Sequence, residues 1–241
     1  MGTFKFKRFD IVNERSSMKV NTDGVLLGAA VPLAASDRRI LDVGTGTGTI
    51  ALMIAQRMYD LGSRDFRIEG IDIDEASAEE AAANFLNSPW AEALSARHIS
   101  LDEFDPGGPL DLIVSNPPYF DDSLQAPEQR RNIARHTEVG GSLSYRDLAA
   151  FASENLADDG RLALILPADQ EAAMLRCMRS FGLFPDMVMR IRTTERKQPS
   201  RIIVNLGRER TATADRTLTI RDGENYSTEY LTLTREFYLF A

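Results

Sequence analysis

The sequence predicts an α/β fold built on a mostly parallel sheet of seven strands, with an antiparallel C-terminal hairpin and helices on both faces. Three observations lead to this prediction. Short apolar runs alternate with helical patterns between residues 39 and 181, a glycine-rich segment joins the first run to the first helix, and after Pro185 two apolar runs follow each other without a helix between them. Strand and helix alternation of this kind produces right-handed crossovers and a parallel sheet covered on both sides.

The alternating region contains five predicted strands and four predicted helices. The strands are expected at residues 39–43, 66–72, 94–99, 110–115 and 161–166, and the helices at 49–61, 74–86, 144–156 and 168–181. Asp74 is expected to cap the second helix, and Ser144 with Asp147 three residues later predicts a cap for the third. The pair Asp159 and Gly160 is expected to end this third helix.

The N-terminal region carries shorter patterns. Three phenylalanines within residues 4–9 alternate in part with basic side chains, which predicts a short extended segment. Thr22 or Asp23 is expected to cap a helix that Pro32 kinks or ends.

The C-terminal region changes in character after Pro185. Residues 187–192 and 202–206 are strand-like and are joined by a charged segment without a helical pattern, which predicts a hairpin and an antiparallel edge on the sheet. Residues 218–221 and 230–233 alternate in hydrophobicity and predict extended tails.

The composition is that of a soluble globular protein, with an apolar fraction of 43% and a charged fraction of 27% in 241 residues. We expect one domain over residues 1–241, in which 1–35 form an N-terminal extension, 36–210 the core and 211–241 a C-terminal extension. The longest apolar run, residues 24–35, is too short to span a bilayer, and residues 1–19 lack the apolar stretch of a signal peptide. A soluble cytoplasmic protein that does not bind membranes is therefore expected, and we separately expect it to be a monomer.

Metal binding and disulfide bonding are not indicated by the sequence. The chain has one cysteine, Cys177, and two histidines, His98 and His136, and none of them stands at a spacing typical of a zinc site. We therefore expect no metal.

The net charge of −8 disfavours a nucleic-acid partner, but the charge is unevenly distributed. Residues 190–210 carry seven basic and two acidic side chains, and basic residues also exceed acidic ones in 1–19 and 128–146. A local excess of basic side chains can bind phosphates, although such an excess also occurs on protein surfaces that contact only water. The candidate RNA-binding residues are Arg190, Arg192, Arg196, Lys197 and Arg201.

A glycine-rich loop follows the first predicted strand of the alternating region. Asp42 precedes Gly44, Gly46 and Gly48, and glycines here let a ligand approach the backbone closely. The glycines occupy the first, third and fifth positions, and Thr49 stands at the sixth, where a dinucleotide-binding fingerprint requires glycine. The spacing therefore disfavours NAD and FAD as the ligand.

Acidic residues follow the second and third strands of this region. Asp72 closes the second strand, where a carboxylate can accept both hydroxyl groups of a ribose. Asp74 is an alternative, but its position favours a helix cap. Asp102 could accept a hydrogen bond from an adenine amino group, or it could be a surface carboxylate beside Glu103.

A stiff corner, Asn116-Pro117-Pro118-Tyr119, follows the fourth predicted strand. The two prolines cannot donate to a sheet and fix the backbone, so they end the strand. The asparagine offers an acceptor oxygen and the tyrosine a stacking face, which suits a planar group with N–H donors. A turn that merely ends a strand would need no such side chains, but by itself the pattern is compatible with both interpretations.

These motifs together resemble those of S-adenosylmethionine-dependent amino methyltransferases of the Rossmann-like class. The resemblance rests on the glycine loop, the acidic residue that closes the next strand and the Asn-Pro-Pro-Tyr corner, in this order. Residues 6–9 (Phe-Lys-Arg-Phe) and 18–28 (Met-Lys-Val-Asn-Thr-Asp-Gly-Val-Leu-Leu-Gly) are also similar to the start of bacterial enzymes that methylate N6 of adenosine 37 in valine tRNA. Asn21 departs from the family pattern, which has glycine there.

The resemblance implies a Rossmann-like methyltransferase fold, S-adenosylmethionine as cofactor and tRNA as substrate. It implies catalytic roles for Asn116, Pro117, Pro118 and Tyr119, and a position against the cofactor for residues 19–24. Three alternatives remain open at the level of the sequence: methylation of a glutamine in a protein such as a release factor, methylation of adenine in another nucleic acid, and a non-catalytic RNA-binding module.

Overall fold

The computed structural model describes residues 2–118 and 143–240, and the structural statements below concern these residues. The strands are β1 (Thr3–Lys5), β2 (Asp10–Val12), β3 (Arg39–Val43), β4 (Arg67–Asp72), β5 (Leu94–His98), β6 (Leu110–Ser115), β7 (Leu156–Pro167), β8 (Phe184–Arg192), β9 (Arg201–Gly207), β10 (Ala214–Thr219), β11 (Arg221–Asp222) and β12 (Asn225–Tyr226). The helices are α1 (Thr22–Ala30), α2 (Thr49–Asp60), α3 (Glu75–Leu86), α4 (Tyr145–Asn155), α5 (Glu171–Ser180) and α6 (Thr228–Thr234). None of these helices is long and apolar enough to cross a membrane.

An eight-stranded sheet with the order β10-β8-β9-β7-β6-β3-β4-β5 forms the centre of the structure. Strand β9 is antiparallel to both of its neighbours, and the other adjacent strands are parallel. The predicted α/β class, the parallel core and the C-terminal hairpin are confirmed. The sheet has eight strands because β10, which lies in the predicted tail, adds to β8. The hairpin therefore does not form the sheet edge that we expected.

Helices cover both faces of the sheet, as alternation of side chains along buried strands requires. Ile40 and Leu112 belong to a core cluster with side chains of α1, α2, α3 and the C-terminal segment. Their neighbours Leu41 and Ile113 point to the other side, where they pack with side chains of α4 and α5.

Two helix boundaries differ from the prediction. Helix α1 is capped by Asn21, whose side chain accepts a hydrogen bond from Gly24 N–H at 2.8 Å, and not by Thr22 or Asp23. Asn21 has an extended backbone, with φ of −137°, so this position does not need the glycine of the family pattern. Helix α4 ends at Asn155, and Gly160 lies within β7, not at the helix end.

The physical reason for glycine at 160 is the irregular pairing of β7 with β6. A Cβ atom at this position would lie 2.6 Å from the carbonyl oxygen of Leu110 and 2.8 Å from the nitrogen of Ala157.

The prediction of an extended tail at residues 230–233 is wrong, because these residues lie in helix α6, which Ser227 caps. The predicted caps Asp74 and Ser144 are confirmed.

The chain reverses its direction of progress through the sheet at β3. It continues from β3 to β4 and β5 on one side, whereas β6 and β7 lie on the other. Ligands of open α/β sheets bind at such a switch point, outside the carboxyl ends of the strands. Gly44, Asp72 and Asn116 follow or end the three adjacent strands β3, β4 and β6.

An N-terminal segment, residues 12–19, crosses this edge of the sheet and is called the strap below. Glu80 of α3 binds it: Oε1 accepts hydrogen bonds from the backbone N–H groups of Glu14 and Arg15, both at 2.7 Å, and Oε2 accepts one from Ser16 at 2.9 Å. Asn84, one turn further along α3, donates to the Val12 carbonyl and accepts from the Val12 N–H. The strap is therefore attached to the helix that follows Asp72.

The charge of Glu80 is maintained by these contacts. Burial by itself would raise the pKa of this carboxyl, but the three backbone donors and the nearby Lys19 ammonium outweigh burial and hold the pKa below its ordinary value of 4.5. A buried carboxylate that accepts several N–H groups is a strong anchor, because hydrogen bonds to a charged acceptor are stronger than neutral ones and each N–H group gains an acceptor.

We predict that Glu80→Gln lowers the free energy of unfolding by about 1–3 kcal/mol, because the amide nitrogen of glutamine would face a backbone N–H and leave it without an acceptor. Since the pKa of Glu80 is lowered in the folded state, the advantage of the wild type is present above pH 4.5 and decreases as the pH falls below it. Urea denaturation at pH 7 and at acidic pH measures both effects.

Glu79→Gln is the matched control, because Glu79 pairs with Arg15 of the same strap through exposed side chains. An exposed pair contributes about 0–1 kcal/mol. Equal effects of the two substitutions at pH 7 would contradict the anchoring role of Glu80.

Candidate active site

The glycine loop follows β3, and its three glycines have left-handed backbone conformations. The φ angles of Gly44, Gly46 and Gly48 are +71°, +55° and +80°, a region that other residues rarely adopt. A Cβ atom added to Gly44 would have no described atom within 4 Å. A Cβ atom added to Gly48 would lie 2.4 Å from the Phe85 ring. Gly44 thus leaves an open side from which a ligand can approach, and Gly48 permits close packing of α3.

Asp42 lies beneath this loop and is fully buried. Its Oδ2 accepts a hydrogen bond from the Thr45 hydroxyl at 2.8 Å, and the backbone N–H of Ala51 at the start of α2 favours the charged form of the carboxyl. Its Oδ1 has no hydrogen-bond partner among the described residues. Burial, and to a smaller extent the negative charge of Asp72, raise the pKa of Asp42 to about 7.

Asp72 connects the loop to α3. Its Oδ2 accepts a hydrogen bond from Gly46 N–H, and its Oδ1 accepts one from Asp74 N–H, both at 2.9 Å. Burial raises the pKa of Asp72, although the two backbone donors reduce the shift. Each carboxylate oxygen retains a lone pair, so the group can still accept hydrogen bonds from a ligand.

The residues that follow β4 and β5 extend this edge. Ile73, next to Asp72, is exposed despite its apolar side chain, with 52% of its surface accessible. Asp102 is exposed in the turn after β5. An apolar side chain beside an acceptor is the combination that a purine ring with an amino group requires.

The corner after β6 is described as far as Pro118, and Tyr119 lies outside the described residues. Asn116 is buried, and its Oδ1 has no hydrogen-bond partner among the described residues. Its Nδ2 donates to the sulfur of Met18 at 3.7 Å. A buried amide oxygen without a partner costs free energy unless a ligand supplies a donor, so Asn116 is a candidate for direct contact with a substrate.

A cavity of about 390 Å³ lies between the corner and the strap. Asn116, Pro117 and Pro118 form one wall, and residues from the 17–23 segment form the other. The strap also approaches the glycine loop, since the carbonyl oxygen of Met18 and the hydroxyl of Ser16 lie 3.7 Å from the position of a Cβ on Gly46. The strap therefore joins the predicted cofactor loop to the predicted catalytic corner.

Arg190 and Arg192, the two candidate RNA-binding residues in β8, bind other protein groups. Arg190 forms ion pairs with Glu171 and Asp215, at 2.5 and 3.2 Å. Arg192 donates to the hydroxyl of Thr219 at 2.9 Å. These arginines connect β8 to α5 and β10, so a contact with RNA would have to compete with these bonds.

The other three candidates lie in or beside the turn between β8 and β9. Arg196 and Lys197 are exposed. Arg201 pairs with Asp23 at 2.9 Å, and Asp23 lines the cavity. The turn extends from the same edge of the sheet as Asn116, because Arg201 is paired with Pro167 at the carboxyl end of β7.

Sequence reasoning missed several residues that shape the site, among them Thr45, Gly70, Met18 and Glu80. A Cβ on Gly70 would lie 2.7 Å from the Thr45 hydroxyl oxygen, so this glycine makes room for the bond to Asp42. A glycine inside a predicted strand indicates such a close approach and could have been noticed. Met18 begins the stretch that resembles the methyltransferase family, but that resemblance assigns it no role, and the sequence around Glu80 carries no comparable signal.

The chain is similar to known methyltransferases in sequence. The family model described as the methyltransferase small domain matches residues 16–182. A protein of Phocaeicola vulgatus named tRNA1(Val) (adenine(37)-N6)-methyltransferase is 40% identical, over 98% of this chain and 97% of its own length. Proteins with the same name from Actinobacillus succinogenes and Flavobacterium johnsoniae are 40% and 35% identical, over 98% of this chain and 97% and 99% of their own lengths.

Solved structures share the fold at lower sequence identity. A predicted O-methyltransferase from Agrobacterium tumefaciens has a TM-score of 0.62 and 17% identity, and the similarity covers 89% of this chain and 96% of that chain. TrmN from Thermus thermophilus has a TM-score of 0.53 and 22% identity over 80% of this chain and 50% of that chain. These similarities support the fold, and at this identity they do not define a substrate.

We predict that Asp42→Asn removes a pH dependence from the stability of the protein. Because burial raises the pKa of Asp42 from 3.8 to about 7, the folded protein holds this proton more tightly than the unfolded chain. The resulting stabilisation is complete below pH 3.8 and is lost as the pH rises to about 7. The free energy of unfolding of the wild type, relative to Asp42→Asn, should therefore decrease over this range in urea denaturation.

Asp65→Asn is the control for the loss of one negative charge, since the Asp65 side chain is 91% exposed. A difference between wild type and Asp42→Asn that stays constant from pH 4 to pH 8 would contradict the prediction.

Proposed function

This chain belongs to the methyltransferase small domain family and, within it, to the bacterial tRNA1(Val) adenine-37 N6-methyltransferases, and from this premise we propose that it methylates N6 of adenosine 37 in valine tRNA with S-adenosylmethionine as cofactor. The observation that carries the proposal is the buried Asn116 amide, whose Oδ1 lacks a partner among the described residues and which lines the cavity. An exocyclic amine supplies the N–H donor that this oxygen lacks.

The carboxyl edge of the sheet fits the proposed cofactor. We propose that Asp72 accepts hydrogen bonds from the ribose hydroxyls, that Asp102 accepts one from the adenine amino group, and that Ile73 packs against the purine. Gly44, Gly46 and Gly48 let the backbone approach the cofactor. In this arrangement Asp42 lies under the loop, where its unpartnered Oδ1 and its carboxylate charge favour the positively charged end of the cofactor.

The corner would position the nucleophile. When bound, S-adenosylmethionine would supply a methyl group whose bond to the sulfonium sulfur breaks readily, because the sulfur leaves as the neutral thioether of S-adenosylhomocysteine. The Asn116 Oδ1 and the Pro117 carbonyl would each accept one N–H of the adenine amine, holding its lone pair toward the methyl group and stabilising the positive charge that develops on the nitrogen. The extra proton leaves the nitrogen for solvent after transfer, so no general base has to act first.

Tyr119 would stack on the target base, which contributes about 1–3 kcal/mol in comparable sites, and Pro118 would fix the position of the ring. The target adenine has to be unpaired or flipped out of its helix to reach such a cavity. An anticodon-loop position such as 37 offers an adenine that does not have to be extracted from a duplex.

We further propose that residues 1–241 act as a single methyltransferase domain and as a cytoplasmic monomer. The extensions 1–35 and 211–241 support each other, since Lys7 N–H donates to the Phe237 carbonyl at 2.8 Å and Phe6 pairs with Tyr238. No metal is required by the proposed chemistry because a neutral thioether leaves the methyl group without the help of a Lewis acid.

The proposal is tested with unmodified valine tRNA, purified protein and S-adenosylmethionine in the presence of a chelator. We predict N6-methyladenosine at position 37, identified by mass spectrometry of digested tRNA, and no product when position 37 is guanosine. Asn116→Ala should retain cofactor binding by calorimetry and lose at least about tenfold in rate, or roughly 1.4 kcal/mol of transition-state stabilisation.

Methylation of a release-factor glutamine or of DNA instead of tRNA would contradict the proposed substrate and leave the proposed methyl-transfer chemistry in place. An unchanged rate for Asn116→Ala would remove this residue from the mechanism. A cofactor that produces no shift in the melting temperature would favour a non-catalytic RNA-binding module.

The turn between β8 and β9 is our candidate for binding phosphates, with Arg196 and Lys197 as its exposed cations. The double substitution Arg196→Ala and Lys197→Ala should raise the KM for tRNA and leave kcat at saturating tRNA unchanged, because side chains that bind phosphates hold the substrate without touching the reacting atoms. The slope of log affinity against log salt should become shallower by about 0.7–0.9 for each phosphate that the variant no longer neutralises.

Arg64→Ala with Arg67→Ala is the matched control, because both arginines are exposed and flank the amino end of β4, at the opposite edge of the sheet. If this control changed the salt slope as much as the turn variant, general charge rather than a specific surface would explain binding.

A further inference from the structure

Met18 stands at the end of a chain of contacts that begins at α3. Glu80 accepts a hydrogen bond from the backbone N–H of Ser16, and the Ser16 hydroxyl is 2.9 Å from the hydroxyl of Ser77. The same Ser16 oxygen lies 3.0 Å from the carbonyl oxygen and 3.3 Å from the backbone nitrogen of Met18. The backbone of Met18 is thus fixed relative to α3, and its side chain reaches across the cavity to Asn116.

The contact between Met18 and Asn116 distinguishes the two ends of the amide. The Met18 sulfur, a weak acceptor, lies 3.7 Å from Nδ2, and it is the one hydrogen-bond partner of the Asn116 side chain within residues 2–118 and 143–240. If the amide were rotated by half a turn, its oxygen would face the sulfur lone pairs and its NH2 group would take the place of the oxygen. The sulfur therefore favours one of two arrangements that have nearly the same shape.

The proposed reaction requires that same arrangement. An asparagine that holds an amine must present its oxygen, because an NH2 group facing an amino group places donor against donor. We propose that Met18 is a positioning residue for methyl transfer: its sulfur accepts an N–H from Asn116 and keeps Oδ1 available for the substrate amine. This inference rests on the function proposed above, and it assigns a role to a residue outside the corner.

Packing alone does not account for the position of this methionine. Met18 is 40% exposed, so its side chain does not act mainly as part of the core. The Ser16 hydroxyl holds the backbone of Met18, and the Met18 side chain is directed at the buried Asn116 amide. The contact that the Met18 sulfur makes explains this position better than packing does.

The test compares Met18→Leu with Met18→Gln. Leucine keeps the apolar character and approximate volume but has no acceptor, whereas glutamine has similar length and restores one. We expect kcat to fall about five- to tenfold for Met18→Leu and to recover most of this loss for Met18→Gln, with the Kd for S-adenosylhomocysteine unchanged in both. If Met18 served only to pack, leucine would be harmless and glutamine the damaging substitution, and this opposite order would overturn the proposal.

Two comparisons connect the effect to Asn116. In an Asn116→Ala background, Met18→Leu should cause no further loss of kcat, because the amide that it orients is absent. Met189→Leu is the control, since Met189 is a partly buried methionine of β8 outside the site. Additive losses in the double variant would contradict a role that acts through the amide.

A second readout does not require activity and separates this inference from the proposed function. The side-chain amide protons of Asn116, assigned by their disappearance in Asn116→Ala, should shift and exchange faster with water in Met18→Leu, while in Met18→Gln they should remain protected. Unchanged signals in Met18→Leu would overturn the inference even if the enzyme methylates tRNA. A wild type without tRNA methylation but with the expected amide changes would reject the proposed function and leave the hydrogen bond established.

Discussion

The hydrogen bonds from three successive backbone N–H groups to the Glu80 carboxylate are the contact on which the candidate site depends. They attach the strap to α3, the helix that begins just after Asp72. The strap in turn supplies one wall of the cavity and approaches the glycine loop. The glycine loop, Asp72 and the Asn116 corner follow separate strands, and the strap, which Glu80 and Asn84 attach to α3, approaches both the loop and the corner.

Two acids, the fully buried Asp42 and the partly buried Asp72, lie at this edge of the sheet. Burial raises the pKa values of both Asp42 and Asp72, and their proximity adds to the shift of Asp42. A site that drives two carboxylates toward protonation gains most from a cation, and S-adenosylmethionine carries positive charge on its sulfonium and its amino group. In the function proposed above, these acids would face the cationic cofactor and the exposed Arg196 and Lys197 would face the RNA, so a net charge of −8 is compatible with a tRNA substrate.

The C-terminal region places a charged turn at the carboxyl edge of the sheet. Strand β9 is antiparallel and lies between β7 and β8, so the turn that joins β8 to β9 emerges at the carboxyl edge. The ion pair between Arg201 and Asp23 connects the base of this turn to α1, whose first turn lines the cavity. If the turn binds phosphates as proposed, this ion pair would fix the distance between the bound phosphates and the cavity, which is what selection of one nucleotide in a folded RNA requires.

The sequence by itself determined the α/β class, the strands from β3 to β6, the caps Asp74 and Ser144, the glycine loop and the Asn116 corner. These features follow from local chemistry: period-two and helical patterns, glycines where the backbone must be left-handed, and prolines where a strand must end. The family resemblance added the cofactor and the substrate class.

Only the tertiary structure decided which residues share the site. The eighth strand, the strap on Glu80, the ion pairs of Arg190 and the contact of Met18 with Asn116 join residues that are as many as 98 positions apart. The local sequence around a carboxylate on a helix is the same whether the side chain faces water or binds a distant backbone segment. Hydrogen bonds of this kind depend on the distance between folded elements, and local sequence does not encode that distance.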